Sequence, residues 1–244
     1  MTALTLLPVE GMPEIEKGDD LGELIVECAA VEDGDVLVVA QKVVSKSEGR
    51  VRQLAEVTPS EQAATISEGT DRDPRMVQVV LDESVRIVRQ ERVLIVETRQ
   101  GFVCANAGVD QSNVPGEDSV LLLPEDADRS AAEIQARVRE LTGREVAIIV
   151  SDTFGRPWRT GIVNVALGVA GLAPLADLRG SFDDHGRELH ATIIAVADEL
   201  ASAAELVSGK TRRVPVVIVR GYVDEGPAGT GRELLRDAES DLFR

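Results

Sequence analysis

Residues 130–159 read SAAEIQARVRELTGREVAIIVSDTFGRPWR, and this stretch decides the fold class. Its first part predicts a helix over residues 131–142, because Ser130 and Glu133 occupy the two positions of a capping box and Gly143 stands where a glycine ends a helix. The apolar run at residues 146–150 follows at once and predicts a buried strand. A helix that leads directly into such a strand is typical of a mixed α/β protein.

The same alternation of short apolar runs and amphipathic segments extends along the whole chain. It predicts strands at residues 4–8, 35–40, 85–89, 93–98, 102–105, 119–123, 146–150 and 214–220, with a hairpin turn at Gln100 and Gly101. Further helices are predicted at residues 59–67, with Thr58 as N-cap, at 188–207 and at 232–242. No internal repeat or low-complexity linker divides the chain. The sequence therefore predicts one α+β domain over residues 1–244, of a length that also accommodates two interleaved subdomains.

The composition excludes several classes of partner. The formal net charge is −17, with 43 acidic against 26 basic residues, and only 2% of residues are aromatic. Such a chain repels nucleic acid and offers no aromatic platform for stacking bases. Lysine occurs only at Lys17, Lys42, Lys46 and Lys210, and the acidic, arginine-rich composition suggests a salt-adapted or GC-rich source. Nucleic acid is therefore not expected as a partner.

The cellular compartment is predicted from the cysteines and from the hydropathy of the chain. Cys28 and Cys104 lack metal-ligand spacing and are interpreted as reduced core residues rather than as a disulfide. No apolar run approaches the roughly 18 residues that a membrane span needs, and the N-terminus lacks the features of a signal peptide. We therefore expect a soluble, cytoplasmic protein with no membrane partner.

Two polar segments carry the predicted chemistry. Asn-Ala-Gly-Val-Asp-Gln-Ser-Asn at residues 106–113 brings Asp110 together with amides and a hydroxyl, and Ser-Asp-Thr-Phe-Gly-Arg-Pro-Trp-Arg-Thr-Gly at 151–161 follows a buried strand. If both acids lie on strand-end loops, Asp110, Asp152 and Thr153 are candidate ligands of magnesium or manganese. Arg156 and Arg159 are cations suited to phosphate or carboxylate oxygens. Together they predict a phosphoryl-transfer centre, although either aspartate alone is equally well explained as a turn residue that caps its own backbone.

Basic residues supply further candidates. Lys42, Lys46 and Arg50 recur at helical spacing after the predicted strand 35–40, where they either hold phosphates or form a solvated helix face. Lys210 lies in Ser-Gly-Lys-Thr, which ends like a phosphate-binding P-loop. The context is inverted, however, because the segment follows a predicted helix and precedes a strand, so the P-loop interpretation is rejected. Lys210 remains a candidate phosphate contact.

The two polar segments at residues 106–113 and 151–161 and five further segments resemble the coenzyme F420-0:gamma-glutamyl ligase family. The further segments are Pro-Val-Glu-Gly-Met-Pro-Glu at residues 8–14, Gly-Asp-Asp-Leu at 18–21, Asp-Gly-Asp-Val-Leu-Val-Val at 33–39, Lys-Val-Val-Ser-Lys-Ser-Glu-Gly-Arg at 42–50 and Val-Pro-Val-Val-Ile-Val-Arg-Gly at 214–221. The resemblance spans nearly the whole chain in the correct order. It implies a GTP-dependent ligase that attaches L-glutamate to the lactyl carboxylate of coenzyme F420-0 and then adds gamma-linked glutamate. It also implies two divalent metal ions, magnesium or manganese, with potassium as a further candidate ion, and a homodimer.

Residue by residue, the resemblance makes Asp110, Asp152 and Thr153 metal ligands. It places the guanine nucleotide against the following residues: Met12, Pro13, Glu14, Ile15, Gln41, Lys46, Asn113 and, as a phosphate contact, Lys210. The chain departs from the family pattern at Gln41, where serine is common, and near Lys210, where archaeal members carry an acidic residue. With 244 residues, the chain has no room for the reductase domain of the fused bacterial enzymes.

The expected mechanism is attack of a substrate carboxylate on the γ-phosphorus of GTP, followed by displacement of phosphate by the amine of glutamate. Three alternatives stay open at this point. A metal-dependent nucleotide hydrolase or phosphotransferase would use the same acids without an amino-acid acceptor, and a nucleotide-binding module would release nothing. A paralogous ligase would act on a different carboxylic acid.

Overall fold

A computed structural model gives the fold and describes residues 3–69, 72–112, 114, 116, 118–224 and 226–241. Those residues contain twelve strands: β1 (Thr5–Pro8), β2 (Val36–Ala40), β3 (Val51–Gln53), β4 (Ser84–Gln90), β5 (Leu94–Thr98), β6 (Val103–Ala105), β7 (Ser119–Leu121), β8 (Ala147–Arg156), β9 (Arg159–Ala170), β10 (Ala176–Asp177), β11 (Ile193–Ile194) and β12 (Val216–Arg220). They also contain six α-helices: α1 (Leu21–Cys28), α2 (Gln41–Ser47), α3 (Glu61–Glu68), α4 (Pro74–Asp82), α5 (Ala127–Thr142) and α6 (Val196–Ser208). The predicted mixed α/β class is confirmed.

A five-stranded mixed sheet forms the centre of the fold, in the order β1-β12-β2-β8-β9. The only parallel pair in this sheet is β2 with β8, and the other neighbours run antiparallel. Parallel strands need a crossover connection, and here that crossover contains everything between Ala40 and Ala147. The long insertion is what carries Asp110 back to the sheet.

Side-chain alternation divides the residues of the central sheet between two apolar layers. On one face Leu37, Ile148 and Ile218 pack with residues of α1 and α5, and on the other face Val38, Ile149 and Val217 pack against α6. Strands buried on both faces read as continuous apolar runs, which is why their existence was evident from the sequence. The result is a sheet covered by helices on both sides.

The crossover insertion has its own apolar clusters. The three-stranded sheet β4-β5-β6 and the pair β3-β7 pack with α3 and α4 through buried residues such as Leu54, Val79, Val96 and Val120. The predicted hairpin between β5 and β6 is confirmed, and Gly101 has φ +97 in its turn. The division of the chain into two interleaved subdomains and the homodimer both stay predictions.

The largest correction concerns the strand that was predicted to end at Val150. β8 continues to Arg156 and forms a hairpin with β9 around Pro157 and Trp158. The prediction of a loop at residues 151–161 was wrong, because the strand was taken to end with its apolar run at Val150, whereas polar residues continue it to Arg156. β9, for which no strand was predicted, is exposed at its start and buried at its end.

Helix boundaries differ from the predictions where a different capping residue is used. The side chain of Asp126 caps α5, so the helix begins at Ala127 and the predicted capping box at Ser130 and Glu133 was wrong, although Gly143 ends the helix with φ +70 as expected. Ser60, and not Thr58, caps α3. α1 and α4 were not predicted; the side chains of Asp20 and Asp73 cap them.

The two predicted C-terminal helices also differ. α6 begins at Val196, because residues 188–195 contain a β-bridge at Glu188, a bend and the strand β11. In place of a helix over residues 232–242 there are two single 3₁₀ turns, Gly231–Leu234 and Ala238–Ser240, and Leu242 lies outside the described residues. Both cysteines are free thiols. Among the described residues, no helix is both long and apolar enough to cross a membrane.

We expect Gly168→Ala to destabilise the fold, because a Cβ at this position of β9 would lie 2.1 Å from the backbone of Ala127 at the start of α5. Backbone cannot yield as a flexible side chain does, so the free energy of unfolding should fall by about 2–3 kcal/mol. Urea denaturation would measure it. The matched control is Gly155→Ala, since nothing lies within 4 Å of a Cβ there; equal stability of the two variants would contradict the close approach of α5 to β9.

Candidate active site

Asp152 lies where the pairing of β8 with β2 ends. The last residue pair is Ala40 with Ser151, after which β8 continues with β9 as its only neighbour. β2 turns directly into α2 at Gln41, so the first turn of α2 takes the place beside Asp152. Adjacent residues of a strand point to opposite faces. Asp152 and Thr153 therefore present their side chains to different sides of the β8–β9 ribbon.

Asp110 reaches the same place from the crossover insertion. It follows three consecutive residues with positive φ, Asn106 (+52), Ala107 (+55) and Gly108 (+68). The left-handed conformation is unfavourable for alanine, and such strain is usually retained where a side chain has to be held in a particular direction. The backbone of Asp110 exchanges two hydrogen bonds, of 3.0 and 2.8 Å, with that of Leu121. The carboxylate is thereby fixed at the edge of β7.

Lys42 is the cationic partner of Asp110, and its charge also acts on Asp152. Its ammonium forms an ion pair with the Asp110 carboxylate and lies 3.1 Å from Ser112 Oγ. The backbone N–H of Ser112 donates to Asp110 Oδ1 at 2.7 Å. Burial acts to raise the pKa of Asp110, but the hydrogen bonds from Lys42 and Ser112 outweigh it and hold the pKa below its ordinary value. Asp110 is thus a stable carboxylate.

Asp152 has the opposite character. Burial raises the pKa of Asp152 to about 6, even though the Thr153 backbone N–H and the charges of Lys42 and Lys210 act to lower it. The negative charge of Asp110 adds to the rise, so the two carboxylates are within electrostatic reach of each other. The charge of Asp152 also acts on Cys104. Burial, with this further contribution from Asp152, raises the pKa of the Cys104 thiol to about 12. A partly buried carboxylate that makes no ion pair with any described residue is suited to receive an added cation.

Thr153 belongs to a separate hydrogen-bonded chain on the α6 side. Its hydroxyl donates to Asn164 Oδ1 at 2.8 Å and accepts a hydrogen bond from the Lys210 ammonium. Asn164 Nδ2 in turn donates to Glu205 Oε2 at 3.1 Å, and Ser208 Oγ donates to the same carboxylate oxygen at 3.2 Å. This chain of hydrogen bonds connects Lys210 to Glu205 through Thr153 and Asn164. The predicted metal ligand Thr153 therefore stands beside a lysine.

Arg156 and Arg159 lie at the tip of the β8–β9 hairpin. Arg156 lies four positions beyond Asp152 on β8, which is a distance of ~13 Å along an extended chain. Arg156 Nη2 donates to the Thr160 carbonyl at 3.0 Å, and its Nε is buried with no hydrogen-bond partner among the described residues. Within a single chain, the two arginines therefore do not lie beside the carboxylates of Asp110 and Asp152. Their assignment to phosphate or substrate carboxylates stays a prediction.

The predicted nucleotide contacts have different environments. Lys46 is buried and paired with the exposed Glu14, which ties the loop containing Met12 and Pro13 to α2. Ile15 is in the core. Gln41 is only 2% exposed. Glu14 is therefore the accessible member of this ion pair, and Lys46 is largely shielded from solvent.

Two of the sequence-based assignments are limited by the structure. The Gln41 amide nitrogen donates to Ser45 Oγ at 2.6 Å and to the Leu122 carbonyl at 3.1 Å, so that it is used within the protein. Asn113 lies outside the described residues.

Arg50 lies beyond the end of α2 and pairs with Glu83 at 2.8 Å. The common helix face predicted for Lys42, Lys46 and Arg50 was therefore wrong for Arg50.

The sequence interpretation missed Asn164 and Glu205, and it did not connect Lys42 with Asp110. Asn164 could have been found only by predicting β9, whose register places it opposite Thr153. Within the described part of the chain, no three acidic, histidine or cysteine side chains come together as a metal-binding group. The polar groups at this centre are therefore two carboxylates, a hydroxyl and two ammonium groups.

Comparison with known proteins gives a single family. The family described as F420-0:Gamma-glutamyl ligase matches residues 11–221. Over its full length the chain is similar to the coenzyme F420:L-glutamate ligase of Methanopyrus kandleri, with 49% identity and full coverage of both chains. It is 48% identical to that of Methanothermobacter thermautotrophicus over 99% of both chains, and 45% identical to that of Archaeoglobus fulgidus over 98% of this chain and 96% of the relative.

The opposite pKa shifts of the two acids predict opposite effects on stability in metal-free protein. Above its raised folded pKa of about 6, the charged Asp152 disfavours the folded state, and below the unfolded value of 3.8 this cost disappears. Asp152→Asn should therefore raise the free energy of unfolding at pH 8, by at most about 3 kcal/mol for a shift of roughly two pKa units. The advantage should shrink below pH 4.

Asp110→Asn should lower stability at pH 8, since the pKa of Asp110 is depressed and its contribution is lost only as pH falls. Urea denaturation of both variants at pH 4 and pH 8, with chelator present, makes the comparison. Equal stability of Asp152→Asn and wild type at pH 8 would contradict the raised pKa of the partly buried Asp152 carboxylate.

Proposed function

Because the chain belongs to the F420-0:gamma-glutamyl ligase family, we propose that it joins L-glutamate to coenzyme F420-0 with GTP as the energy source. The observation that carries this proposal is the convergence of Asp110, Asp152, Lys42 and Lys210 on the end of the β2–β8 pair. All four residues lie within the matched range 11–221. They supply the mixed charges that phosphoryl transfer requires.

The two carboxylates fit a hard divalent cation. Magnesium and manganese bind through one or two carboxylates and leave the other positions to water and phosphate oxygens. Asp110 and Asp152 would hold the ion, and the ion would neutralise charge on the transferred phosphoryl group. Two features support this assignment: the raised pKa of Asp152, caused first by burial, and the strained segment that orients Asp110.

The proposed reaction has two steps. A carboxylate oxygen of coenzyme F420-0 attacks the γ-phosphorus of GTP, and the bond to the bridging oxygen of GDP breaks to give an acyl phosphate. The neutral amine of glutamate then attacks the acyl carbon, phosphate leaves, and the amine proton passes to solvent. Repetition with the side-chain carboxylate of the added glutamate would give a gamma linkage. The protein contributes mainly alignment and charge neutralisation.

The side chains have distinct roles in this proposal. Lys46 and the loop of Met12, Pro13, Glu14 and Ile15 would bind the nucleotide, together with Gln41 and Asn113. Lys210 is exposed at the centre and would contact phosphate oxygens. Arg156 and Arg159 would hold phosphate or substrate carboxylates. Breaking the Lys46–Glu14 pair would free the Lys46 ammonium for a phosphate.

The deciding experiment measures phosphate release from GTP with magnesium or manganese, with and without L-glutamate and coenzyme F420-0, followed by mass spectrometry of the product. We expect release to require both co-substrates and the product to gain one glutamyl unit. Parallel reactions with ATP test the guanine preference. Phosphate release without glutamate would instead indicate a nucleotide hydrolase. Phosphate release that requires glutamate and a carboxylic acid other than coenzyme F420-0 would indicate a paralogous ligase.

Asp152→Asn and Asp110→Asn should each reduce kcat by about 10²-fold or more, because removing one preorganised charge from a phosphoryl-transfer centre has an effect of this order. Steady-state kinetics at saturating metal measures the loss, and circular dichroism checks the fold. The matched control is Asp183→Asn, an exposed aspartate on a distant turn. Metal-dependent turnover of Asp152→Asn at the wild-type rate would remove Asp152 from the site.

A further inference from the structure

Lys42 and Lys210 bring ammonium groups to the centre, and Lys46 lies on the same helix as Lys42. Lys42 pairs with Asp110, and Lys46 pairs with Glu14. Lys210 makes no ion pair with any described residue and instead donates to the neutral hydroxyl of Thr153. Its positive charge still acts on Asp152. Lys210 thus brings an uncompensated positive charge to the centre.

The surroundings of Thr153 do not fit a second divalent cation. Lysine offers only N–H donors and cannot be a ligand in its charged form. The acid on this side is Glu205, whose Oε2 accepts from both Asn164 and Ser208. No third acidic, histidine or cysteine side chain joins Asp110 and Asp152 among the described residues. A divalent ion beside Thr153 would meet the Lys210 ammonium, and it would compete with Asn164 and Ser208 for the only acidic side chain of this hydrogen-bonded chain, Glu205.

The fold also holds Lys210 where a positive charge is stable. It follows the C-terminal end of α6, where unpaired carbonyl groups favour cations, and Gly209 ends the helix with φ +58. The hydroxyl of Thr153 donates to Asn164, so its lone pairs are free to accept from Lys210. The Glu205–Asn164–Thr153 chain therefore fixes the acceptor against which the ammonium rests.

We propose that the Lys210 ammonium supplies, in this protein, the positive charge that a second divalent ion would otherwise bring to the nucleotide phosphates, so that the chain binds one divalent ion and not two. This inference rests on the proposed function, since it assumes that a divalent ion binds at Asp110 and Asp152. It differs from the expectation of two divalent ions that the family resemblance implies. Glu205 and Asn164 act as positioning residues for Thr153 and, through it, for Lys210.

The test is the stoichiometry of Mn²⁺ bound to the full chain in the presence of a non-hydrolysable GTP analogue, measured by electron paramagnetic resonance and by calorimetry. Free Mn²⁺–nucleotide complex is subtracted with a blank that lacks protein. We expect one Mn²⁺ per wild-type chain and a second in Lys210→Glu, where a carboxylate replaces the ammonium. Arg212→Glu is the matched control, because it makes the same charge change two residues away on an exposed side chain and should leave the value at one.

Each outcome separates this inference from the proposed function. Two Mn²⁺ per wild-type chain would overturn the role of Lys210 and leave the ligase proposal standing. Absence of Mn²⁺ binding in every variant would overturn the metal centre itself.

Lys210→Met provides an independent kinetic test. It removes the charge without adding a ligand, so we expect one Mn²⁺ per chain and a kcat reduced on the order of 10²-fold, with partial recovery in Lys210→Arg. Wild-type turnover in Lys210→Met would overturn the proposal, because the ammonium would then not be the source of the second charge.

Discussion

The site depends on where the pairing of β2 with β8 stops. The two parallel strands share five residue pairs and end at Ala40 and Ser151, because β2 turns into α2 while β8 continues alongside β9. The backbone that would have been next to Asp152 is replaced by the first turn of a helix. Lys42 is on that turn, so the residue that follows the last pair of β8 meets a cation instead of another strand. A shift of this pairing by one residue would turn the side chain of Asp152 to the other face of the sheet.

The long crossover between the same two strands adds the second carboxylate. A parallel connection has to leave one end of the sheet and return to the other, and here it contains a separate apolar body before it returns through α5. The left-handed segment at Asn106, Ala107 and Gly108 directs the chain so that Asp110 comes back to Lys42. Two aspartates far apart in sequence are therefore brought together by sheet topology, with their ionisation adjusted in opposite directions.

Much of the core could be predicted from sequence, and much of the site's geometry could not. The buried strands β2, β8 and β12 were found because continuous apolar runs leave few other interpretations. Asp110 and Asp152 were singled out because acids in short polar segments are conspicuous. β9 was missed because its first residues are exposed and interrupted by Gly161, and with it Asn164 was missed. Capping residues were misplaced at Thr58 and Ser130 because several serine, threonine and aspartate side chains compete for each helix start, and tertiary contacts decide among them. Ser130, for example, donates to Glu48 at 2.6 Å instead of capping α5.

The overall charge of −17 is at first sight unfavourable for a protein whose proposed substrates are all anions. Three of the four lysines, Lys42, Lys46 and Lys210, nevertheless lie at or beside the centre, whereas many arginines form ion pairs elsewhere, as Arg220 does with Asp35 at 2.7 Å. Arginine is suited to fixed bidentate pairs, and lysine to a compact charge that can exchange partners. If the Lys46 ammonium leaves Glu14 for a phosphate, it exchanges one anionic partner for another with little change in its environment. The acidic surface repels anionic ligands generally, so attraction is confined to the surroundings of these lysines and of any bound metal ion. Local placement of the few lysines, rather than net charge, therefore governs which anions can bind.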